Sequence, residues 1–135
     1  MKYAIALFLA LVLNAGANLL MKVGAKAAAE GGGLLAGGPV GMVRTILQSP
    51  ALVVGLLCFA LNAVFYMYAL QSKSLKISVA YPIMVGGGYA LIAIGARLHP
   101  ALAERLQWGQ IIGVVLILTG IVLVAAQMGE SAESA

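Results

Sequence analysis

Acidic residues are nearly missing from this chain. Of 135 residues only four are acidic, Glu30, Glu104, Glu130 and Glu133, and none falls inside an apolar stretch. Carboxylates within a membrane serve as cation sites or proton relays, and these stretches supply none. One histidine, His99, stands beside Pro100, and one cysteine, Cys58, lies within an apolar run. A lone thiol excludes an intramolecular disulfide and leaves the redox compartment open. No His/Cys cluster offers metal ligands. No Ser/His/Asp set or carboxylate pair supports catalysis. The expectation is no enzyme, no metal and no cofactor. The net charge of +4 comes from basic residues scattered over connections, so a nucleic-acid surface, which needs them gathered on one face, is excluded as well.

What the chain has is apolar length. It is 63% hydrophobic and 9% charged, with a mean hydropathy of +1.06. A soluble fold of this size has too little interior to hide that surface. Tyr3 to Met21, Ala51 to Ser72, Ile77 to Ala96 and Leu106 to Gly129 contain no Asp, Glu, Lys or Arg. About 20 helical residues cross the roughly 30 Å hydrocarbon core. The expected fold is an all-α membrane protein, a single domain over residues 1–135 with four transmembrane helices at about 3–25, 50–72, 77–96 and 106–128. The first run exceeds the usual h-region of about 7–15 residues, and is expected to stay in the membrane.

The connections set the topology. Residues 26–49 open with "KAAAEGGGLLAGGPVG", whose glycines suggest a flexible link and, lacking Gly-Lys-Ser/Thr, no phosphate loop. "MVRTILQS" reads as a short amphipathic helix in the membrane interface, and Pro50 suits the first turn of the second span. The brief "KSLK" link makes spans two and three antiparallel neighbours. Lys2, Lys73 and Lys76 fall on one side; Lys22, Lys26, Arg44, Arg97 and Arg105 fall on the other. The positive-inside rule favours the second set as cytoplasmic by a small margin, with insertion in both orientations as the alternative.

Polar residues inside the spans are few. Asn14, Asn18 and Lys22, four apart, share a face of span one. Cys58, Asn62 and Tyr66 do so in span two, and Ser78, Tyr81, Val85, Gly88 and Tyr89 form a broad face in span three. Two readings stand for Asn14, Asn18 and Asn62: a substrate cavity between helices, or interhelical amide pairs worth about 0.6–2 kcal/mol each. Lys22 either snorkels to the interface or faces a substrate anion. Tyr66 and Tyr81 are suited to line a site, while Tyr3 and Tyr68 read as interface anchors. Gly86, Gly87 and Gly88 allow close helix approach or a bend in span three. Gly109, Gly113 and Gly120 form a small-residue face on span four, an assembly surface within or between subunits.

Taken together, "NAGANLLMK" in span one, "LKISVAYPIMVGGGYALIAIGA" in span three and "IIGVVLILTGIVLV" in span four resemble the small four-helix members of the drug/metabolite transporter superfamily, which include the small multidrug resistance proteins and EamA-like relatives. The resemblance covers all four spans. It implies a homodimer, or a heterodimer with a related subunit, often antiparallel, with a binding site shared by spans one to three of two copies. Two departures matter. Asn14 stands where the drug exporters carry an essential glutamate, and Met84 stands where they carry a tryptophan after the span-three tyrosine; the only tryptophan, Trp108, opens span four. "SVAYP" is more similar to the branch that moves undecaprenyl-phosphate-linked aminoarabinose across the bacterial inner membrane, whose members also lack that glutamate. An asparagine donates and accepts without repelling a lipid phosphate.

The resulting expectation is a multi-pass inner-membrane transporter, in contact with membrane lipid. It would move a lipid-linked or amphiphilic anionic substrate by alternating access in a dimer, with Asn14, Asn18, Asn62, Tyr66, Tyr81 and Lys22 at the site. Export of small polar or cationic solutes, and a non-transporting assembly role, are the alternatives.

Overall fold

The computed structural model describes residues 1–35, 37–73, 75–100, 102, 105 and 107–133, the last seven as backbone only. Glu104, the expected span-four start at Leu106, and the side chains of Glu130 and Glu133 lie outside the described residues. Among the described residues six α-helices follow in order: α1 Lys2–Glu30, α2 Gly38–Gln48, α3 Pro50–Ala69, α4 Ile77–Pro82, α5 Gly88–Leu98 and α6 Trp108–Glu133. A π-helical turn, Ile83–Gly87, joins α4 to α5. Four helical segments are long and apolar enough to cross a membrane: Lys2–Glu30, Pro50–Ala69, Ile77–Leu98 and Trp108–Ala126. The protein is an all-α, multi-pass membrane protein.

The first helix outruns its expected end. Residues 26–30, "KAAAE", read from sequence as the start of a flexible link, are helical. Alanine has the highest helix propensity, so the glycines break the helix only where they begin. Gly31 caps it, donating to Ala28 O, and Gly32 and Gly33 follow with positive φ of 104° and 99°. α3 starts at Pro50, with the Ser49 hydroxyl accepting from Leu52 N at 3.4 Å, an N-cap bond.

Small residues set the close pairing of α1 and α3. Ala10, Ala17 and Gly24, seven apart, are buried along one seam of α1. Gly55 of α3 lies against Met21 and the Ala17 carbonyl, while Gly24 lies against Leu52. Such seams let two backbones approach in lipid, where dispersion replaces the hydrophobic effect as the driving force. At the far end Ala6 and Leu7 meet Ala69 and Ala80.

The third span is not one continuous α-helix. Pro82 has no amide hydrogen and its ring crowds the preceding turn. The π turn directly after it absorbs that defect. α1 lies between α3 and the third span, and α6 packs along the third span. No residue of Trp108–Ala126 is buried, which leaves most of α6 to lipid or to another chain.

Candidate functional site

The register of the helices brings the polar groups to one depth. Gly55 lies beside Ala17 and Met21, and Ala69 beside Ala6 and Leu7. Counting along antiparallel α1 and α3 between those pairs places Asn62 level with Asn14. From the third span, Gly87 faces Leu11 and Gly88 faces Asn14. A Cβ on Gly88 would stand 2.9 Å from Asn14 Nδ2. Glycine at 88 therefore makes room for the Asn14 amide.

Asn18 orients that amide. Its Nδ2 donates to the Asn14 carbonyl at 2.8 Å and to Asn14 Oδ1 at 3.3 Å. The carboxamide oxygen of Asn14 is thereby held toward its own helix, while the amide nitrogen points at the third span. Both asparagines are half-buried, and Lys22, one turn further along, is exposed.

Asn62 stands apart in its burial. It is 6% exposed, and its Oδ1 has no hydrogen-bond partner among the described residues. One turn on, the Tyr66 hydroxyl is buried and likewise unpartnered. Away from water an unpaired acceptor costs about 1–3 kcal/mol, and the hydrocarbon core holds no solvent to relieve it. The two groups present an acceptor and a hydroxyl, both lacking a partner, on one face of α3. What would satisfy them is a ligand hydroxyl, amine or water brought in between the helices.

Tyr81 does not join this group squarely. It is 61% exposed. It lines an apolar cleft of about 530 Å³ with Tyr89 of α5 and Ile117, Gly120 and Ile121 of α6. The face that the sequence assigns to Tyr81, Val85, Gly88 and Tyr89 is split: Gly88 is buried against α1, whereas Tyr81, Val85 and Tyr89 are exposed on the α6 side. The π turn is the reason, since its wider winding rotates everything after it relative to a regular α-helix. Pro82 was the available signal for that turn.

The glycines divide by neighbour. Gly86 is buried against Ile117 and Ile121 of α6, Gly88 is buried against α1, and Gly87 is half-buried facing Leu11 of α1. All three are contact points for a second helix. Around Gly109, Gly113 and Gly120 an added Cβ would meet nothing within 4 Å, although Gly120 lines the cleft with Tyr81 and Tyr89, and Ile117 on the same stripe packs against Gly86. Tyr3 and Tyr68 stack with ring centroids 5.4 Å apart, and the Lys2 ammonium lies 5.2 Å from the Tyr3 ring centre. The spacing of residues along each span gave no sign of that pair.

No family model and no solved structure matches the chain. Individual proteins do. The uncharacterized protein y4nH of Sinorhizobium fredii is 36% identical over 85 residues, 63% of this chain and 68% of that protein. A protein of Shewanella sediminis named "Probable 4-amino-4-deoxy-L-arabinose-phosphoundecaprenol flippase subunit ArnF" is 35% identical over 79 residues, 58% of this chain and 52% of that one. The protein of the same name from Aeromonas hydrophila is 42% identical over 77 residues, 56% of this chain and 50% of that one. The matched segment spans between half and three-fifths of these flippase subunits. Apolar spans and shared sequence agree: the chain belongs to one family with y4nH, and its similarity to the aminoarabinose-phosphoundecaprenol flippase subunits supports that branch of small membrane transporters.

Proposed function

We infer that this chain is one subunit of a flippase that carries a lipid-linked, phosphate-bearing sugar across the bacterial inner membrane by alternating access. The observation that carries this reading is the unpartnered pair on α3, Asn62 Oδ1 and the Tyr66 hydroxyl, at the depth of the Asn14 amide. A sugar offers the hydroxyls and amines that such a pair lacks. Asn14 and Asn62 contact the sugar, Asn18 fixes the Asn14 amide, and Lys22 draws the phosphate toward the interface. Tyr81 lines the lipid-side edge. The site is completed by a second subunit, a copy or a related chain, seated on the Gly109, Gly113 and Gly120 face of α6. One subunit rocks against the other around the site.

The names of the flippase relatives support this reading in substrate class. A site for small cations is disfavoured because the apolar stretches contain no carboxylate to balance a positive charge. A purely structural role uses the α6 face but leaves Asn62 and Tyr66 unexplained. The test is flux of a polyprenyl-phosphate-linked aminosugar in proteoliposomes. Asn14→Ala is expected to abolish it while insertion and subunit association stay intact. Flux equal to the unmodified protein would refute the assignment.

A further inference from the structure

The connection between α1 and α3 carries a feature that the flippase reading does not use. Helix α2 enters through two glycines in the left-handed region, Gly37 at φ 102° and Gly38 at φ 68°, a turn that other residues adopt only with strain. Pro39 follows in its first turn, and Thr45 Oγ1 donates to the Gly41 carbonyl at 2.9 Å. One extended residue, Ser49, separates α2 from α3, so the chain turns a corner there. Thr45 and Gln48 close a small cavity against Ala27, Ala28 and Gly31 at the end of α1. One side of α2 is thus occupied by the protein.

The opposite side is apolar and bare. Val40, Val43 and Leu47, at helical spacing, are 81%, 52% and 70% exposed. They flank Arg44 around an open cleft of about 560 Å³ that reaches Gln48 at the edge between the two sides. The depth of this face is fixed by covalent structure. α3 begins crossing the membrane two residues after α2 ends, and its Leu52 packs against Gly24, just beyond Lys22. α2 therefore sits at the boundary between hydrocarbon and headgroups. The same end of the molecule carries Lys22, Lys26, Arg44, Arg97 and Arg105, with Glu30 as the acid among its described residues.

We propose that α2 is a membrane-surface anchor whose Val40, Val43 and Leu47 enter the outer acyl region while Arg44 binds the phosphate of an anionic phospholipid. Its occupant is lipid, chosen by the depth of the helix, by the apolar face directed away from the protein, and by the positive charge around it. The anchor stands whether or not the chain flips a lipid-linked sugar.

The test uses the full-length protein with Cys58→Ala, a fluorophore at Val43→Cys, and vesicles of phosphatidylcholine and phosphatidylglycerol. Val115→Cys on α6 serves as the lipid-facing control and Lys73→Cys as the aqueous one. The label at 43 is expected to be quenched by brominated lipid as at 115, and shielded from iodide. Brominated phosphatidylglycerol is expected to quench in preference to phosphatidylcholine, and Arg44→Gln to lower that preference about fivefold, the weight of one basic residue at an anionic surface. Quenching by iodide as at 73 would place α2 in water and overturn the anchor. Shielding from both quenchers would show that protein covers the face, which also overturns it. An unchanged preference in Arg44→Gln would remove the headgroup contact.

Discussion

Replacing Tyr66 with phenylalanine deletes one oxygen and almost nothing else, which makes it a sharp probe of the site. The Tyr66 hydroxyl is buried without a partner beside the unpartnered Oδ1 of Asn62. A buried polar group in that state costs about 1–3 kcal/mol. Tyr66→Phe is therefore expected to raise stability by an amount in that range, with no cavity or overpacking to offset it. A hydroxyl serving as interhelical glue would give the opposite sign, a loss of about 0.6–2 kcal/mol. Equilibrium unfolding in mixed micelles, extrapolated to zero denaturing detergent, separates the two. Flux is expected to fall, because a hydrogen bond to substrate contributes about 0.5–1.5 kcal/mol, or roughly twofold to tenfold. Greater stability with lower flux is the signature of a group held in reserve for a ligand. Lower stability, or greater stability with unchanged flux, would refute the reasoning.

Gly86→Ala puts a methyl group into Ile117 and Ile121 of α6, and is expected to cost about 1–3 kcal/mol by overpacking, read out as earlier unfolding on the same detergent scale. Gly113→Leu sets its Cβ where nothing of the chain lies within 4 Å. It is expected to leave the subunit within about 0.5 kcal/mol while reducing the dimer fraction in native mass spectrometry, and an unchanged dimer would move the subunit contact away from α6. Because the four acids lie outside the apolar stretches, a proton gradient imposed on proteoliposomes of this chain alone is expected not to drive flux. Acceleration by such a gradient would contradict the absence of a carboxylate relay.

The spans were legible in the sequence because membrane burial imposes one demand on every residue of a crossing helix. Four charge-free runs of the right length state that demand directly. The ends were harder. Ala27 to Glu30 continue α1 since propensity, rather than hydropathy, decides where a helix stops once it leaves the hydrocarbon. Pro82 was visible in "SVAYP", but its consequence, a π turn that rotates Tyr81 and Val85 away from Gly88, depends on how the backbone repairs one missing hydrogen bond.

The site shows where such reading stops for a deeper reason. That Asn14 and Asn18 share a face follows from spacing alone, and so does the pairing of Asn62 with Tyr66. Whether an amide is glue or a waiting ligand is a question about its partner, and partners are fixed by register between helices. Here the register is set by the least conspicuous residues, Ala10, Ala17, Gly24 and Gly55, which hold α1 and α3 close. With that closeness Asn62 is buried at the level of Asn14, yet the Asn14 amide oxygen is already engaged by Asn18 and its nitrogen faces Gly88. A shift of one turn along that seam would move Asn62 off the Asn14 level and change what either amide can reach. The unpartnered state of Asn62 is thus a property of the alanine and glycine seam, and substitutions in that seam are the ones expected to turn its unpaired acceptor into an ordinary interhelical bond.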